Sequence, residues 1–359
     1  MIDQIIKDNS KDFKTMVHSL SEHKKAIDEL RKVGRPKGFH LGFDCLRDYY
    51  SILPGKTTYI YGPPYSGKSY MWFEWLINLS EFENLKHGIF SDEMGKPHEV
   101  FWDLVQMVAG VNVNYKFHDG SKITISDSDY EKACEFVREY FYIISPQDQE
   151  LAVDEFFYMP DVIYTKFKAE IDTLTGDPFN EFAVNQVEIR HRDIWVGDQL
   201  TKIRKKSDAL NIHTCIINHA SAQQKVTKKI KDTKQEFEFY PVVTPRELYG
   251  GQEWFRKGLG MISIWRPPKG FPDEDGIPAL ENEIWVIIQK AKPRGVGKLG
   301  TIKLYLDHAK HRYYEESAYG KRYAHKIQDD RMAPEREVSA SSGNGLPYNG
   351  LQSDGELPF

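Results

Sequence analysis

The sequence predicts an α/β fold with a mostly parallel central sheet flanked by helices, and three observations carry that expectation. Between Thr57 and Tyr314 short apolar runs alternate with stretches of helical spacing, the rhythm of parallel strands joined by crossover helices. A glycine-rich turn, Gly62-Pro63-Pro64-Tyr65-Ser66-Gly67-Lys68-Ser69, falls between the strand TTYIY and the helix SYMWFEWLINLSEF, where a phosphate-binding loop opens a helix. The 359 residues are 40% hydrophobic and 28% charged, a balance that suits one large globular domain with appendages.

Taken in order, the chain opens with apolar positions Phe13, Met16, Val17, Leu20, Ile27 and Leu30 at roughly helical spacing, broken by Gly34, Arg35 and Pro36. Residues 1–36 therefore read as a helix and linker. Residues 37–318 hold the strand candidates TTYIYG, HGIFSD, YFYIIS, DTLTGD, HTCIINH, GMISIWR, EIWVIIQK and TIKLYLD. Residues 319–359 lead into a stretch rich in Ser, Gly, Asn, Pro and acids, whose few apolar side chains cannot offset the entropy of ordering; a disordered acidic tail is expected there. There is no internal repeat. The apolar runs fall short of a membrane span, and the N-terminus lacks the basic-then-apolar layout of a signal peptide. Cys45, Cys134 and Cys215 are scattered, which points to a reducing, cytoplasmic setting and away from a structural zinc module. The net charge of −5 gives no global attraction to nucleic acid, so a surface for it must be local.

The glycine-rich turn defines the first site. Gly62 and Gly67 let the backbone wrap a phosphate with its N–H groups at a helix N-terminus, and Pro63, Pro64, Tyr65 and Ser66 complete the loop. Lys68 is placed to neutralise the β and γ oxygens of a nucleotide, and Ser69 to ligate Mg²⁺; ATP or another NTP with Mg²⁺ is the expected pair. The strand HGIFSD leads into Asp92 and Glu93, and Glu93 is the candidate general base for the attacking water. In Thr173-Leu174-Thr175-Gly176-Asp177, Asp177 sits at a strand end, where a carboxylate can hold the Mg²⁺ water shell. Asp172 is the rival, at the start of the same run.

In this order the motifs resemble the helicase domain of DnaB-type ring helicases, closest to the branch with Twinkle and the phage primase-helicases, over about Gly38 to Glu315. Gly42-Phe43-Asp44-Cys45-Leu46 and Leu53-Pro54-Gly55-Lys56 resemble the lead-in to that family's P-loop. Phe90-Ser91-Asp92-Glu93-Met94 resembles its catalytic-glutamate motif, and Asp177-Pro178-Phe179-Asn180-Glu181 its magnesium-binding stretch. His213 to His219 is similar to the strand whose last residue senses the γ-phosphate, which implies that role for His219. Val243-Thr244-Pro245 and Gly250 to Trp254 resemble the segment after the family's second DNA loop. Gln289 to Gly300 resembles the trans-acting end that reaches a neighbour's nucleotide, implying Lys290 with either Lys292 or Arg294 as the finger. The pattern departs here: Lys292 stands at the finger position and Arg294 two residues on, and only a guanidinium spans phosphate oxygens bidentately. No primase domain is expected before the motor.

The resemblance implies a RecA-like fold, ATP hydrolysis, 5′ to 3′ travel on single-stranded DNA and a homo-oligomeric ring, expected to be hexameric. Lys225, Lys228, Lys229, Lys231 and Lys234 surround one acid in a loop directly after the sensor strand, the position of a DNA loop in this family, with Phe237, Phe239 and Tyr240 as stacking faces. Arg190-His191-Arg192 is a second basic stretch. The N-terminal stripe suits a helix that docks on an adjacent protomer. The terminal Asp354-Gly355-Glu356-Leu357-Pro358-Phe359 resembles the tip of bacterial single-strand-binding proteins, a contact for replication partners. Two other classes stay open. A RecA-like recombinase or loader would form a filament on DNA, and a small-molecule kinase would hydrolyse ATP regardless of DNA.

Overall fold

The computed structural model describes residues 17–324, apart from 118–119, 121, 147–148, 184–191, 221–222 and 230–234. It divides into two units after Lys37. In the first, α1 (Lys24–Val33) follows a short turn at Ser21–His23 and stops at Gly34, whose φ of 76° suits a residue without a Cβ. Lys24 pairs with Asp28 one turn on, and none of the helix's residues is buried. The helix is shorter than the apolar spacing predicted; the first of its predicted residues, 13–16, lie outside the described residues.

The second unit opens with the small antiparallel pair β1 (Phe39–His40) and β2 (Ser51–Ile52). The strands that follow are β3 (Thr57–Gly62), β4 (His87–Ser91), β5 (Phe141–Ile144), β6 (Thr173–Asp177) and β7 (His213–His219). A separate hairpin, β8 (Val226–Lys229) and β9 (Glu236–Phe239), precedes β10 (Gly260–Trp265), β11 (Glu283–Ala291), β12 (Gly300–Asp307), β13 (Arg312–Ser317) and β14 (Gly320–Tyr323). One ten-stranded sheet results, in the order β14-β13-β12-β11-β10-β3-β7-β6-β4-β5. From β10 to β5 every pairing is parallel, as the crossover rhythm predicted. From β10 to β14 the sheet continues as an antiparallel meander. All eight predicted strands are present. The two missed, β13 and β14, carry charges among their tyrosines, so their polar composition hid them; β14 also falls inside the segment assigned to the tail.

Helices cover both faces. The helix after the glycine-rich turn, α2 (Lys68–Glu83), packs with α3 (Pro97–Ala109) and α4 (Asp127–Tyr140) on one face. The other carries α5 (Val153–Phe156), α6 (Met159–Phe167), α7 (Arg192–Leu210) and α8 (Gln252–Lys257). Met71, Trp72, Phe73, Trp75, Leu76 and Ile77 of α2 are all fully buried, so this helix is covered on every side rather than on one stripe. Its polar residues are accordingly paired: Glu74 accepts from Arg312 of β13 at 3.0 Å, and Asn78 donates to Leu41 O at 3.0 Å. The phosphate-loop helix is thereby braced against both the antiparallel meander and the N-terminal lead-in.

Candidate active site

Four neighbouring parallel strands, β3, β7, β6 and β4, bring their C-terminal ends together, the edge where open α/β sheets bind ligands. Gly62 ends β3, and a Cβ there would come within 2.1 Å of Ile264 O, so only glycine fits. Gly67 caps α2 with φ 87°, and Tyr65 at the loop's tip also takes a left-handed φ of 60°, with its ring 96% exposed. The first turn of α2 presents its amides toward the loop. Lys68 is only 5% exposed and folds over the loop to donate to Pro63 O at 3.0 Å. Burial pushes its ammonium below the ordinary lysine range, while Glu93 and Asp177 nearby act in the opposite direction. The Ser66 hydroxyl is buried in the loop without a protein partner among the described residues.

Asp177 is fully buried at the end of β6, and its Oδ2 accepts from Ser69 Oγ at 2.6 Å. Burial pushes its carboxyl up to about 6, against the opposing pull of the Ser69 hydrogen bond. Its Oδ1 is buried with no partner among the described residues. A desolvated carboxylate with one unsatisfied oxygen beside a serine hydroxyl is a hard-oxygen donor set that fits Mg²⁺. The rival Asp172 lies at the other end of the strand, accepting from Lys86 N at 2.8 Å, so Asp177 is the carboxylate that the fold brings to Ser69.

Glu93 lies two residues beyond β4, half-exposed, and its Oε2 is 2.7 Å from His219 Nε2 at the end of β7. This hydrogen bond is the main reason that the Glu93 carboxyl sits below its ordinary range, with a smaller contribution from Lys68. His219 is level with Gly62 across the β3–β7 pairing, and Asp92 N donates to Asp177 O at 3.2 Å. Base, metal carboxylate, sensor and phosphate loop thus converge, although they are widely separated along the chain. Tyr313 had no local signal in the sequence, yet its hydroxyl donates to Gly67 O at 3.4 Å from the antiparallel half of the sheet.

The Lys290, Lys292 and Arg294 block is not part of this convergence. Because β11 runs antiparallel to β10, Ala291 is level with Gly260, and Gly260 with Thr58. The block therefore sits at the opposite edge of the sheet, about 13 Å along the strand from Gly62 at roughly 3.3 Å per residue. Lys290 donates to Phe255 O and lies 4.7 Å from the centre of that ring, and burial lowers its pKa. Lys292 and Arg294 are exposed. Gly297 anchors the segment: a Cβ there would meet Tyr49 O at 1.9 Å, and Lys298 N donates to that same oxygen.

The lysine segment also differs from its expected form. It is not an irregular loop but contains the β8–β9 hairpin, in which Lys229 pairs with Glu236 at 2.6 Å and Lys225 approaches Glu238 at 3.6 Å. Cross-strand charge pairing is what the alternation of lysines and glutamates dictates once the two strands face each other. Lys228 lies 5.7 Å above the Phe271 ring, and burial lowers its pKa. Phe237 and Phe239 are not stacking faces: they pack against Phe271, with ring centres 5.6 and 5.0 Å away. Tyr240 has Lys225 5.7 Å over its ring. Lys231, Lys234, Arg190, His191 and the terminal Asp354 to Phe359 tip lie outside the described residues, as does the side chain of Arg192.

No family model matches the chain, and no curated protein matches it. Solved structures do. A helicase ATPase domain solved on its own aligns over 83% of this chain and 98% of its own length, at 15% identity and a TM-score of 0.61. A DnaB-like replicative helicase, described with its interactions with primase, aligns over 87% of this chain and 70% of its own, at 15% identity and a TM-score of 0.62. The chain therefore has a RecA-like fold, and within that class its architecture is that of the DnaB-like helicase ATPase domain. No helix among the described residues is long and apolar enough to cross a membrane.

Proposed function

We propose that this chain is an ATP-dependent DNA helicase that translocates along single-stranded DNA as a ring-shaped homo-oligomer, hexameric by its resemblance to DnaB-type motors. One observation carries the reading above all others: the phosphate loop and the Lys290 to Arg294 block lie at opposite edges of one sheet, so a nucleotide at the loop can meet that block only from another copy of the chain. That separation supports a ring with its sites between protomers.

In this reading Lys68 releases Pro63 O and turns to the β and γ oxygens of ATP, while the first-turn amides of α2 hold the phosphates. Ser69 and Asp177 hold Mg²⁺, which supplies positive charge to the phosphate oxygens when bound. Glu93, kept deprotonated by its hydrogen bond from His219, orients the attacking water. Lys292 or Arg294 of a neighbouring copy stabilises the charge that develops on the phosphoryl group. The hairpin lysines Lys225, Lys228 and Lys229, with Lys231 and Lys234 of the same segment, grip the phosphates of the strand, and His219 reports the state of the γ-phosphate to them. Travel from 5′ to 3′, a cytoplasmic setting and docking of replication partners on the Asp354 to Phe359 tip belong to the same reading, on the resemblance alone.

Hydrolysis of ATP by the purified chain, with and without a dT oligonucleotide, tests it. Turnover that rises strongly with the oligonucleotide and falls at least about 100-fold in Lys68→Ala is the expected result. Turnover indifferent to DNA would retire the motor and favour a small-molecule kinase.

A further inference from the structure

We infer that strand β11 positions the lysine hairpin, through Gln289 and an aromatic clamp centred on Phe271, so that the hairpin rides on the same strand that ends in Lys290 and Lys292. The role of the hairpin as the nucleic-acid grip rests on the proposed function; its attachment to β11 does not.

The argument starts from the segment that leaves β9. Its carbonyls are taken by buried side chains of the sheet: Trp265 Nε1 donates to Tyr240 O at 2.7 Å, and Gln289 Nε2 donates to Val243 O at 3.0 Å. Gln289 is itself fixed, since its Oε1 accepts from Tyr61 Oη at 2.6 Å. Both ends of its amide are thus used, which determines its orientation and forbids a flip. Tyr61 immediately precedes Gly62 of the phosphate loop, and Lys290 immediately follows Gln289. One buried amide therefore touches the phosphate-loop strand, the trans-acting strand and the base of the hairpin.

The clamp provides the second attachment. Trp265, Phe271, Ala279, Trp285 and Ile287 form a small core apart from the two main ones, with Phe237, Phe239 and Val242 packed against it. Its rings meet edge to face: Phe239 with Trp265 at 5.7 Å, Trp265 with Phe271 at 5.5 Å, and Trp265 with Trp285 at 5.0 Å. Phe271 is seated by a turn in which its N–H donates to Pro268 O at 2.9 Å. The hairpin's apolar face, Phe237 and Phe239, is spent on this clamp, and its opposite face carries Lys225, Lys229 and their glutamates. On the outgoing side Gln223 Nε2 donates to Pro241 O at 2.7 Å, which ties that arm to the return arm. A contiguous packed and hydrogen-bonded body of this kind transmits displacement between its ends.

Hydrogen exchange in the full-length chain tests the attachment directly. In Phe271→Ala, and separately in the pair Tyr61→Phe with Gln289→Leu, the amides of Val226–Lys229 and Glu236–Phe239 should exchange at least about tenfold faster while those of α2 keep the parent rate. Unchanged hairpin exchange in both variants would overturn the inference. The pair removes both partners of one hydrogen bond together and so stays informative if Phe271→Ala does not fold. Phe271→Ala should also hydrolyse ATP at the parent's rate without DNA but lose stimulation by the dT oligonucleotide. If the hairpin loosens yet a Lys225→Ala, Lys228→Ala, Lys229→Ala chain still binds that oligonucleotide as the parent does, the attachment stands and the grip is located elsewhere.

Discussion

Two carboxylates of the site are pushed in opposite directions, and each shift has a measurable consequence. Glu93 is held below its ordinary range chiefly by His219. In His219→Ala the carboxyl returns toward that range, so the acid limb of the pH profile for ATP hydrolysis should move to higher pH, read as the ratio of turnover at about pH 5 to that at about pH 8. An unchanged ratio would mean that Glu93 is not the titrating base. Glu93→Gln should bind ATP while losing about 100-fold or more in turnover. Asp177 is the converse case, pushed up to about 6 by burial. The native chain binds that proton more tightly than the unfolded chain, whose aspartates titrate near about 3.9, so stability is lost as pH rises from about 4 to about 6. The loss is of the order of 3 kcal/mol, at roughly 1.4 kcal/mol per unit. Asp177→Asn should therefore raise the unfolding temperature in Mg²⁺-free buffer, more at about pH 8 than at about pH 5, while abolishing hydrolysis. An equal gain at both pH values would rule out the buried charge as the cause. A site that stabilises the chain when its functional charge is removed is one built for a cation.

At the scale of elements, the phosphate-loop helix depends on a distant strand. Arg312 of β13 makes a bidentate pair with Glu74 of α2, with both side chains almost fully buried. Removing one partner leaves a buried charge uncompensated, so Arg312→Leu should cost about 3–5 kcal/mol in urea unfolding, whereas the double replacement with Glu74→Leu should recover most of it. If the double variant is as unstable as the single one, the pair acts through packing rather than charge. The eight strands legible in the sequence are the apolar ones that cross the core. Strands β13 and β14 were not legible, because Glu315, Glu316, Lys321 and Arg322 read as a charged surface until a partner strand covers them. The hairpin was hidden for a related reason: its alternation of lysine with apolar residues reads as a charged loop, and only the pairing with Glu236 and Glu238 gives it a register.

A nucleotide site shared between copies, as proposed, makes a prediction that only the whole assembly can satisfy. A Lys68→Ala chain and a chain carrying Lys292→Ala with Arg294→Ala should each hydrolyse ATP poorly. Mixed, they should recover part of the parent activity, because some sites then combine an intact loop with an intact finger. If no ratio of the two restores activity, each site is complete within one copy. The two single variants Lys292→Ala and Arg294→Ala, assayed in the same way, show which side chain is the finger.

The sequence by itself determined the phosphate loop, the parallel half of the sheet and the order of the motifs, because these are local: glycines where the backbone must bend, apolar runs where strands cross the core, and a serine and lysine at a helix start. Asp177 against Asp172 was a choice that only the tertiary structure made, by bringing one carboxylate to 2.6 Å from Ser69 and turning the other toward Lys86. The same holds for the pairing of Glu93 with His219 and for the sealing of Phe237 and Phe239 into a clamp. The location of Lys290 to Arg294 at the far edge of the sheet depends on the antiparallel direction of β11, which no residue of that strand encodes alone. Charge, burial and reach are properties of neighbours, and in this chain the neighbours that matter lie far apart in sequence.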